Sequence, residues 1–464
     1  MSEETKRETL SSRIGFIFLA AGCAIGLGNI WRFPAMVGMY GGGYFVLLYV
    51  IFLVIFGLPA LLMELSMGRA SRRNLVGAYD KLAHSNNKVW RNTGKVFFFG
   101  NWILLMFYTT VSGWMLAYTY FAMRGEFKGL NHILISEKFG KFLSSPEQVI
   151  FYMFLTIFIS VIICSFGLKN GVERVVKYMM SALLLLIVGL AIYVMTLPNA
   201  MEGVKFYLYP SWDNFVNAGI LRVISEAMGQ AFFTLSIGIG SMEIYGSYVD
   251  KSHTLTQESL YIIMLDTFVA FVAGLIIFPA CFAYDVNTAA GPKLIFEVLP
   301  NVFSQMSSGR FIGTAFFGLM TLAALTTVIA VLENLIAYYI DEKKYNRIKA
   351  SLLVGVSLFF LSLPCALGFN LWSNIKPFGE GSNILDLEDF ILSNNLLPLG
   401  GVMIIIFCII KKGWGYENFM QEVNEGKGIK FPSYFKYYML IVIPVLIVFL
   451  AISNILARMG IALF

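Results

Sequence analysis

The chain reads as a succession of long apolar runs separated by short polar connections. The hydrocarbon core of a bilayer is about 30 Å thick and takes roughly 20 apolar residues to cross as a helix. On that measure eleven spans are predicted, near residues 13–38, 43–69, 94–123, 147–166, 172–196, 217–249, 256–284, 310–340, 348–368, 382–411 and 433–462. No linker or change of composition divides them, so they are read as one membrane domain. The expected fold class is an all-α polytopic membrane protein of about eleven transmembrane helices.

Two runs break the apolar pattern. The first span contains Gly22-Cys23-Ala24-Ile25-Gly26-Leu27-Gly28-Asn29-Ile30-Trp31-Arg32-Phe33-Pro34. A helical Gly costs about 1 kcal/mol relative to Ala, and a mid-membrane Arg about 2.5–3.5 kcal/mol on insertion scales. The sixth span contains Gly238-Ile239-Gly240, after Gln230-Ala231-Phe232-Phe233-Thr234-Leu235-Ser236-Ile237. Gly22-x-x-x-Gly26 alone also fits close helix packing. The paired interruption, five spans apart and with polar neighbours in both, favours a site. Two halves that begin alike in opposite orientation point to an inverted-repeat secondary transporter, whose broken helices expose backbone groups near the midplane. A phosphate-cradling loop is a poor reading, because no G-x-G-x-x-G follows a strand.

Composition narrows the class further. Hydrophobic residues make up 58% of 464 positions and charged residues 13%, with a mean hydropathy of +0.73, so the lipid bilayer is the expected environment. Cys23, Cys164, Cys281, Cys365 and Cys408 form no C-x-x-C pair and imply neither a metal site nor a disulfide framework. His84, His132 and His253 all fall in polar connections. The spans therefore lack the His-based acid–base pair or metal centre that a membrane enzyme needs, and no enzymatic activity is expected. A channel would carry a continuous polar stripe rather than localised breaks. Lys and Arg cluster at the N-terminus and in alternate connections, at Arg69, Arg72, Arg73, Lys169, Arg174, Lys251, Lys343, Lys344, Lys411 and Lys412. The positive-inside rule then puts the N-terminus in the cytoplasm of a multi-pass protein of the inner (plasma) membrane. The net charge of +6 is explained by topology and needs no nucleic-acid partner.

The polar residues inside the spans include Glu64, Tyr108, Asp266, Thr326, Thr327 and Asp389. A carboxylate in lipid must be paired or must hold a cation. Asn29, Thr234, Asp266, Thr326 and Thr327 are oxygen donors of the kind a hard cation such as sodium prefers. Each threonine alone is a weak pointer, since Thr commonly bonds its own helix carbonyls. Glu243, in the inner half of the sixth span, is expected to face water.

The run from Gly26 to Pro34, followed by Gly41-Gly42-Gly43, resembles the signature of the neurotransmitter:sodium symporter family. So do Met63-Glu64 to Gly68-Arg69, Gly229 to Ser236, and Leu325-Thr326-Thr327. The resemblance covers most of the chain and is strongest to bacterial amino-acid members of the leucine-transporter type; eleven spans without a twelfth occur in some of them. It implies a five-plus-five inverted repeat with broken first and sixth helices. The boundaries are a cytoplasmic latch at 1–12, a first repeat at 13–196, a second at 197–411 with its outer loops, and a cytoplasmic loop with helix 11 at 412–464.

The resemblance also implies roles for matching positions. One sodium ion would meet the Ala24 carbonyl, Asn29, Thr234, Asp266 and the substrate carboxylate. A second would meet the carbonyls of Gly22, Ile25 and Ala323 and the hydroxyls of Thr326 and Thr327. Tyr108 would bond the substrate carboxylate, with open amides at Gly26, Leu27 and Gly28 meeting it from the other side. Leu104, Phe233, Ser236, Ile239, Thr327 and Val331 would line the side-chain pocket. Arg32 and Asp389 would close an outer gate with Gln230 nearby and Phe233 as lid; Arg7 and Asp341, with Tyr248, would close an inner one. Leu10 departs from the family pattern, which has Trp there. Gly26, where monoamine carriers have an acid, favours an α-amino acid substrate. Asp266 supplies a fixed charge where eukaryotic carriers place chloride beside Asn, so chloride is not expected. The implied activity is sodium-coupled import of a neutral apolar or aromatic amino acid by alternating access; another carboxylate-bearing solute is the alternative.

Overall fold

The computed structural model describes residues 8–85, 87–285 and 294–458. Among the described residues there is no β-strand, only isolated bridges between Gly42 and Pro210 and between His253 and Lys427. In chain order the helices used below are α1 (Arg13–Ala24), α2 (Gly28–Met39), α3 (Gly43–Ser71), α4 (Leu75–Leu82), α5 (Asn87–Met123), α6 (Pro146–Ser165) and α7 (Leu168–Val194). They continue with α8 (Ile220–Thr234), α9 (Ser241–Gly246), α10 (Leu255–Ala283), α11 (Gly309–Lys343), α12 (Arg347–Leu367), α13 (Ile384–Ile409), α14 (Tyr416–Val423) and α15 (Ser433–Phe449).

Eight of these are long and apolar enough to cross a membrane, and α1 with α2 makes a ninth, broken span bent by 52°. The expected eleven is not reached on length and composition. The sixth span is divided into α8 and α9 by six residues that are not helical, 235–240, and α15 continues as helix to Arg458. α11 is the central post: it packs against α1, α5, α6, α7 and α12, which is why its middle is apolar on nearly every face.

Several spans contain a wide, π-helical turn, and five of these share a local cause. Gly28–Arg32, Leu53–Gly57, Leu294–Val298, Phe390–Leu396 and Tyr438–Val442 each end two residues before a proline: Pro34, Pro59, Pro300, Pro398 and Pro444. Proline lacks an N–H and its ring collides with the carbonyl four residues earlier in a regular helix. Widening the preceding turn moves that carbonyl aside and keeps the other hydrogen bonds. Pro279 and Pro364 lie inside helices without such a turn.

The end of the molecule that carries the N-terminal segment is tied by buried charges. Glu173, at the start of α7, accepts bonds from Ser11 N (2.8 Å), Ser11 Oγ (2.6 Å) and Ser12 Oγ (3.2 Å), while Arg13 pairs with Glu258 at 2.8 Å. Leu10 is half-buried against the core. Arg69, fully buried at the end of α3, holds α14 through Glu422 Oε1 (2.6 Å) and the Glu422 carbonyl, and also reaches the His253 carbonyl (2.9 Å). A buried guanidinium is tolerable only when its donors are satisfied in this way.

Candidate substrate and ion site

The break between α1 and α2 redirects two amides. In an unbroken helix Gly26 N would close on Gly22 O and Asn29 N on Ile25 O. Here Gly26 N donates to Asn29 Oδ1 (3.1 Å), and Asn29 N donates to Gly26 O (3.2 Å). The carbonyls of Gly22 and Ile25 are thereby released toward α11. Thr327 Oγ1 lies 3.4 Å from Gly22 O, 3.5 Å from Ile25 O and 3.3 Å from Ala323 O, and Thr326 Oγ1 donates to Ala323 O (2.9 Å). Thr327 has one proton for three carbonyls at long range. The remaining lone pairs of this all-oxygen cluster suit a hard monovalent cation, and the residues present fit sodium.

A second oxygen cluster lies beside it. Asn29 Nδ2 donates to Asp266 Oδ1 (2.8 Å) and lies 3.1 Å from Thr234 Oγ1. Thr234 Oγ1 is 3.1 Å from Asp266 Oδ2, and Tyr49 adds its hydroxyl at 3.3 Å. All of these are buried. Side chains of α2, α3 and α8 thus converge on one carboxylate of α10; its oxygens, with those of Thr234 and Tyr49, are hard donors, while Asn29 turns its Nδ2 toward them and its Oδ1 to Gly26 N.

The break in the sixth span is built differently. Ser236, Gly238 and Gly240 all have positive φ (51°, 106° and 78°), a backbone that cannot continue as a helix. Its amides converge on Glu64 of α3: Gly238 N reaches Oε1 at 2.6 Å and Met242 N reaches Oε2 at 3.1 Å. Its carbonyls are met from the other side, Ile239 O by Asn101 Nδ2 (2.7 Å) and Gly240 O by Asn334 Nδ2 (3.1 Å). Glu64 was expected to need a partner; it has the backbone of the break. Asn101, Asn334 and Glu333 were missed, although an acid or amide in mid-span is a signal that the sequence does carry.

Between the breaks lies a closed pocket of about 20 Å³, room for about one water. Ala24, Gly26, Gly28, Leu104, Tyr108, Phe233, Ser236 and Thr327 line it, together with Cys23 and Leu397, which sequence reasoning did not single out. A side chain at Gly26 would force its neighbours to shift: an added Cβ would stand 2.3 Å from the Tyr108 hydroxyl and 2.5 Å from Thr327 Oγ1. The structure differs from expectation in four respects. Leu27 faces the outer chamber described below. The amides of Gly26 and Leu27 are not open, because Leu27 N donates to the Tyr108 hydroxyl (2.9 Å) and Gly26 N is held by Asn29. Ile239 and Val331 are buried outside this lining; the positive φ on both sides of Ile239 turns its side chain onto α5, where a Cβ at Gly100 would meet it at 2.5 Å. Glu243 does not face water but is wholly buried, because α9 lies backbone to backbone on α3, where a Cβ at Gly68 would fall 1.8 Å from Glu243 O.

Above Phe233 is a chamber of about 550 Å³ lined by Trp31, Arg32, Trp114, Phe296, Asp386 and Asp389 among others. The Arg32 guanidinium lies over the Phe233 ring at 4.2 Å and 3.9 Å from Asp389. Gln230 Nε2 donates to Gly28 O (2.9 Å), bracing the α2 end below it. At the opposite end Tyr248 donates to Glu333 (3.0 Å), Arg347 pairs with Glu333 (2.8 Å) and with Glu8 (3.3 Å), and Asp341 accepts from Asn74 N and Nδ2 (3.1 and 3.0 Å). Arg7 lies outside the described residues.

Two broken spans facing each other across oxygen clusters and a small enclosed pocket define a secondary transporter of the broken-helix class. A model of the sodium:neurotransmitter symporter family matches residues 7–139 and 135–462, and the chain belongs to that family. Among its relatives, the sodium-dependent transporter YhdH of Bacillus subtilis is 34% identical over 98% of this chain and 100% of its own length. A sodium-dependent transporter of Haemophilus influenzae is 34% identical over 97% of this chain and 98% of its own. The crystal structure of MhsT in complex with L-phenylalanine matches with a TM-score of 0.85 and 34% identity, covering 96% of this chain and 99% of that one. The protein is thus a sodium-dependent membrane transporter and not an enzyme, with the fold that the paired glycine breaks predict.

Proposed function

We propose that the chain imports a neutral apolar or aromatic amino acid together with two sodium ions, independently of chloride, by alternating access. The observation that carries the sodium part is the all-oxygen cluster of Gly22, Ile25, Ala323, Thr326 and Thr327, in which the break frees carbonyls that few protons reach. The Ala24 carbonyl, Asn29, Thr234 and Asp266 hold the other ion, completed by the substrate's carboxylate. Substrate and sodium then tighten each other's binding, as linkage requires. Tyr108 accepts from Leu27 N and keeps its own proton to donate to that carboxylate, and the Gly28 amide meets it from the opposite side. Arg32, Phe233 and Asp389 close the outer path; the cluster of Glu8, Tyr248, Glu333 and Arg347 closes the inner one, with Arg7 and Asp341 beside it. The halves 13–196 and 197–411 act as inverted repeats, and the N-terminus lies in the cytoplasm of the plasma membrane.

The pocket lining supports a neutral side chain, since it carries no charged residue and desolvating a charge there is costly. MhsT was crystallised with L-phenylalanine, which favours an aromatic or large apolar substrate here. At about 20 Å³ the pocket is smaller than any amino acid, so binding requires Phe233 and its neighbours to move first. The test is uptake of labelled L-phenylalanine and L-leucine into proteoliposomes under a sodium gradient. Uptake is expected only with sodium, unchanged when chloride is replaced, and abolished in Asp266→Ala. Full uptake by that variant, or uptake without sodium, would overturn the reading.

A further inference from the structure

One buried acid stands apart from the ion clusters and from both gates. Glu388 is 6% exposed and lies on α13, next in sequence to Asp389. Asp386 and Asp389 turn toward the chamber, whereas Glu388 and Ile384, four residues apart and so on one helix face, are buried. Glu388 Oε2 is enclosed with no hydrogen-bond partner among the described residues. The titratable group that α12 turns toward it is the Cys365 thiol, which in turn meets Thr110 of α5. On its own helix the nearest charges are Asp386 and Asp389, both negative, and the cation at hand, Arg32, lies on Asp389 instead. Among the described residues no Lys, Arg or His pairs with Glu388.

An unpaired carboxylate ion seated in such surroundings is unfavourable, while the neutral acid costs less to bury. We propose that Glu388 is a proton-binding site that couples outside pH to the outer gate. With the proton on, the first turn of α13 packs on α5 and α12 and holds Asp389 beside Arg32. With the proton released to outside water, the anion draws that turn off its seat toward the chamber, Asp389 leaves Arg32, and the way to Phe233 opens. Acid therefore favours the closed gate and alkali the open one. The inference rests on Arg32 and Asp389 being the outer gate.

Cys23 lines the pocket beneath Phe233 and reports gate opening through its rate of alkylation by a small membrane-impermeant reagent added outside, read by peptide mass spectrometry. Thiol reactivity itself rises with pH, so the quantity to follow is the ratio of the wild-type rate to that of Glu388→Gln, which mimics the protonated acid at constant volume. The ratio is expected near 1 at pH 6 and severalfold higher at pH 8. Glu388→Met, untitratable and of similar length, serves as the reference in the same ratio if Glu388→Gln folds poorly. A ratio that is flat with pH, or one that follows sodium concentration at fixed pH, would overturn it. Alkylation of Cys23 that sodium and L-phenylalanine fail to slow would instead overturn the gate reading on which it rests.

Discussion

The two helix breaks carry the same glycine pattern, yet their backbones are treated in opposite ways. In the first, the amides of Gly26 and Leu27 are taken by Asn29 and Tyr108 while the carbonyls of Gly22 and Ile25 are left to a lone threonine proton. In the second, Glu64 gathers the amides and Asn101 and Asn334 take the carbonyls. One break keeps its carbonyls lightly engaged; the other is closed off by side chains from α3, α5 and α11. A glycine pair therefore marks where a helix stops, and only the surrounding side chains decide whether the opened backbone is a ligand or a fixed wall. The wall has its own use, because it sets Ser236 and Phe233 at the pocket.

Three substitutions test this contrast. The largest effect is expected for Glu64→Ala, which strands two or three buried amides at about 1–3 kcal/mol each. Its melting temperature in detergent should fall steeply whether or not sodium is present; a variant that melts like the wild type would show that the second break does not depend on its anion. Thr326→Ala combined with Thr327→Ala should be milder in stability but specific in chemistry. Sodium-free melting should change little, while the sodium concentration giving half of the ion's stabilising effect rises about tenfold or more, equivalent to at least ~1.4 kcal/mol. An unchanged sodium titration would mean that the freed carbonyls serve packing rather than an ion. Asn101→Ala should leave sodium binding least changed. It removes the donor to Ile239 O and the acceptor of Ser241 Oγ and Asn334 Nδ2, at about 0.5–1.5 kcal/mol per bond, and should appear as a loss in melting temperature with sodium affinity retained.

The long spans and the positions of both breaks are legible in the sequence, because continuous apolarity and clustered glycines act locally. The meeting of Asn29, Thr234 and Asp266 is implied by the family resemblance; by themselves the residues offer only oxygen donors in three separate spans. What is lost at each break is helical phase. Once Ser236, Gly238 and Gly240 adopt positive φ, the 3.6-residue period cannot be carried across. The burial of Glu243 and the turn of Ile239 toward α5 follow from tertiary packing alone. Cys23 and Leu397 go unnoticed for another reason: an apolar residue in a pocket has no chemical label to separate it from one in the core. Length and apolarity stop short of eleven spans among the described residues, because the sixth crossing is shared between two pieces too short to qualify singly.

The wide turns ahead of the prolines give the chain a dependence on exact residue count. A π-helical turn accommodates one residue more than a regular turn, and one residue corresponds to about 100° of rotation along a helix. Glu64 lies seven residues past the wide turn Leu53–Gly57, so the direction in which its carboxylate emerges is set by that turn. Deleting a single residue there, Val54 for instance, while leaving every polar group in place, would swing Glu64 by about a quarter of a circle away from Gly238. The span that carries its wide turn before Pro59 is thus sensitive to insertion and deletion at Val54, a position exposed at the protein surface, where substitution alone would be expected to do little.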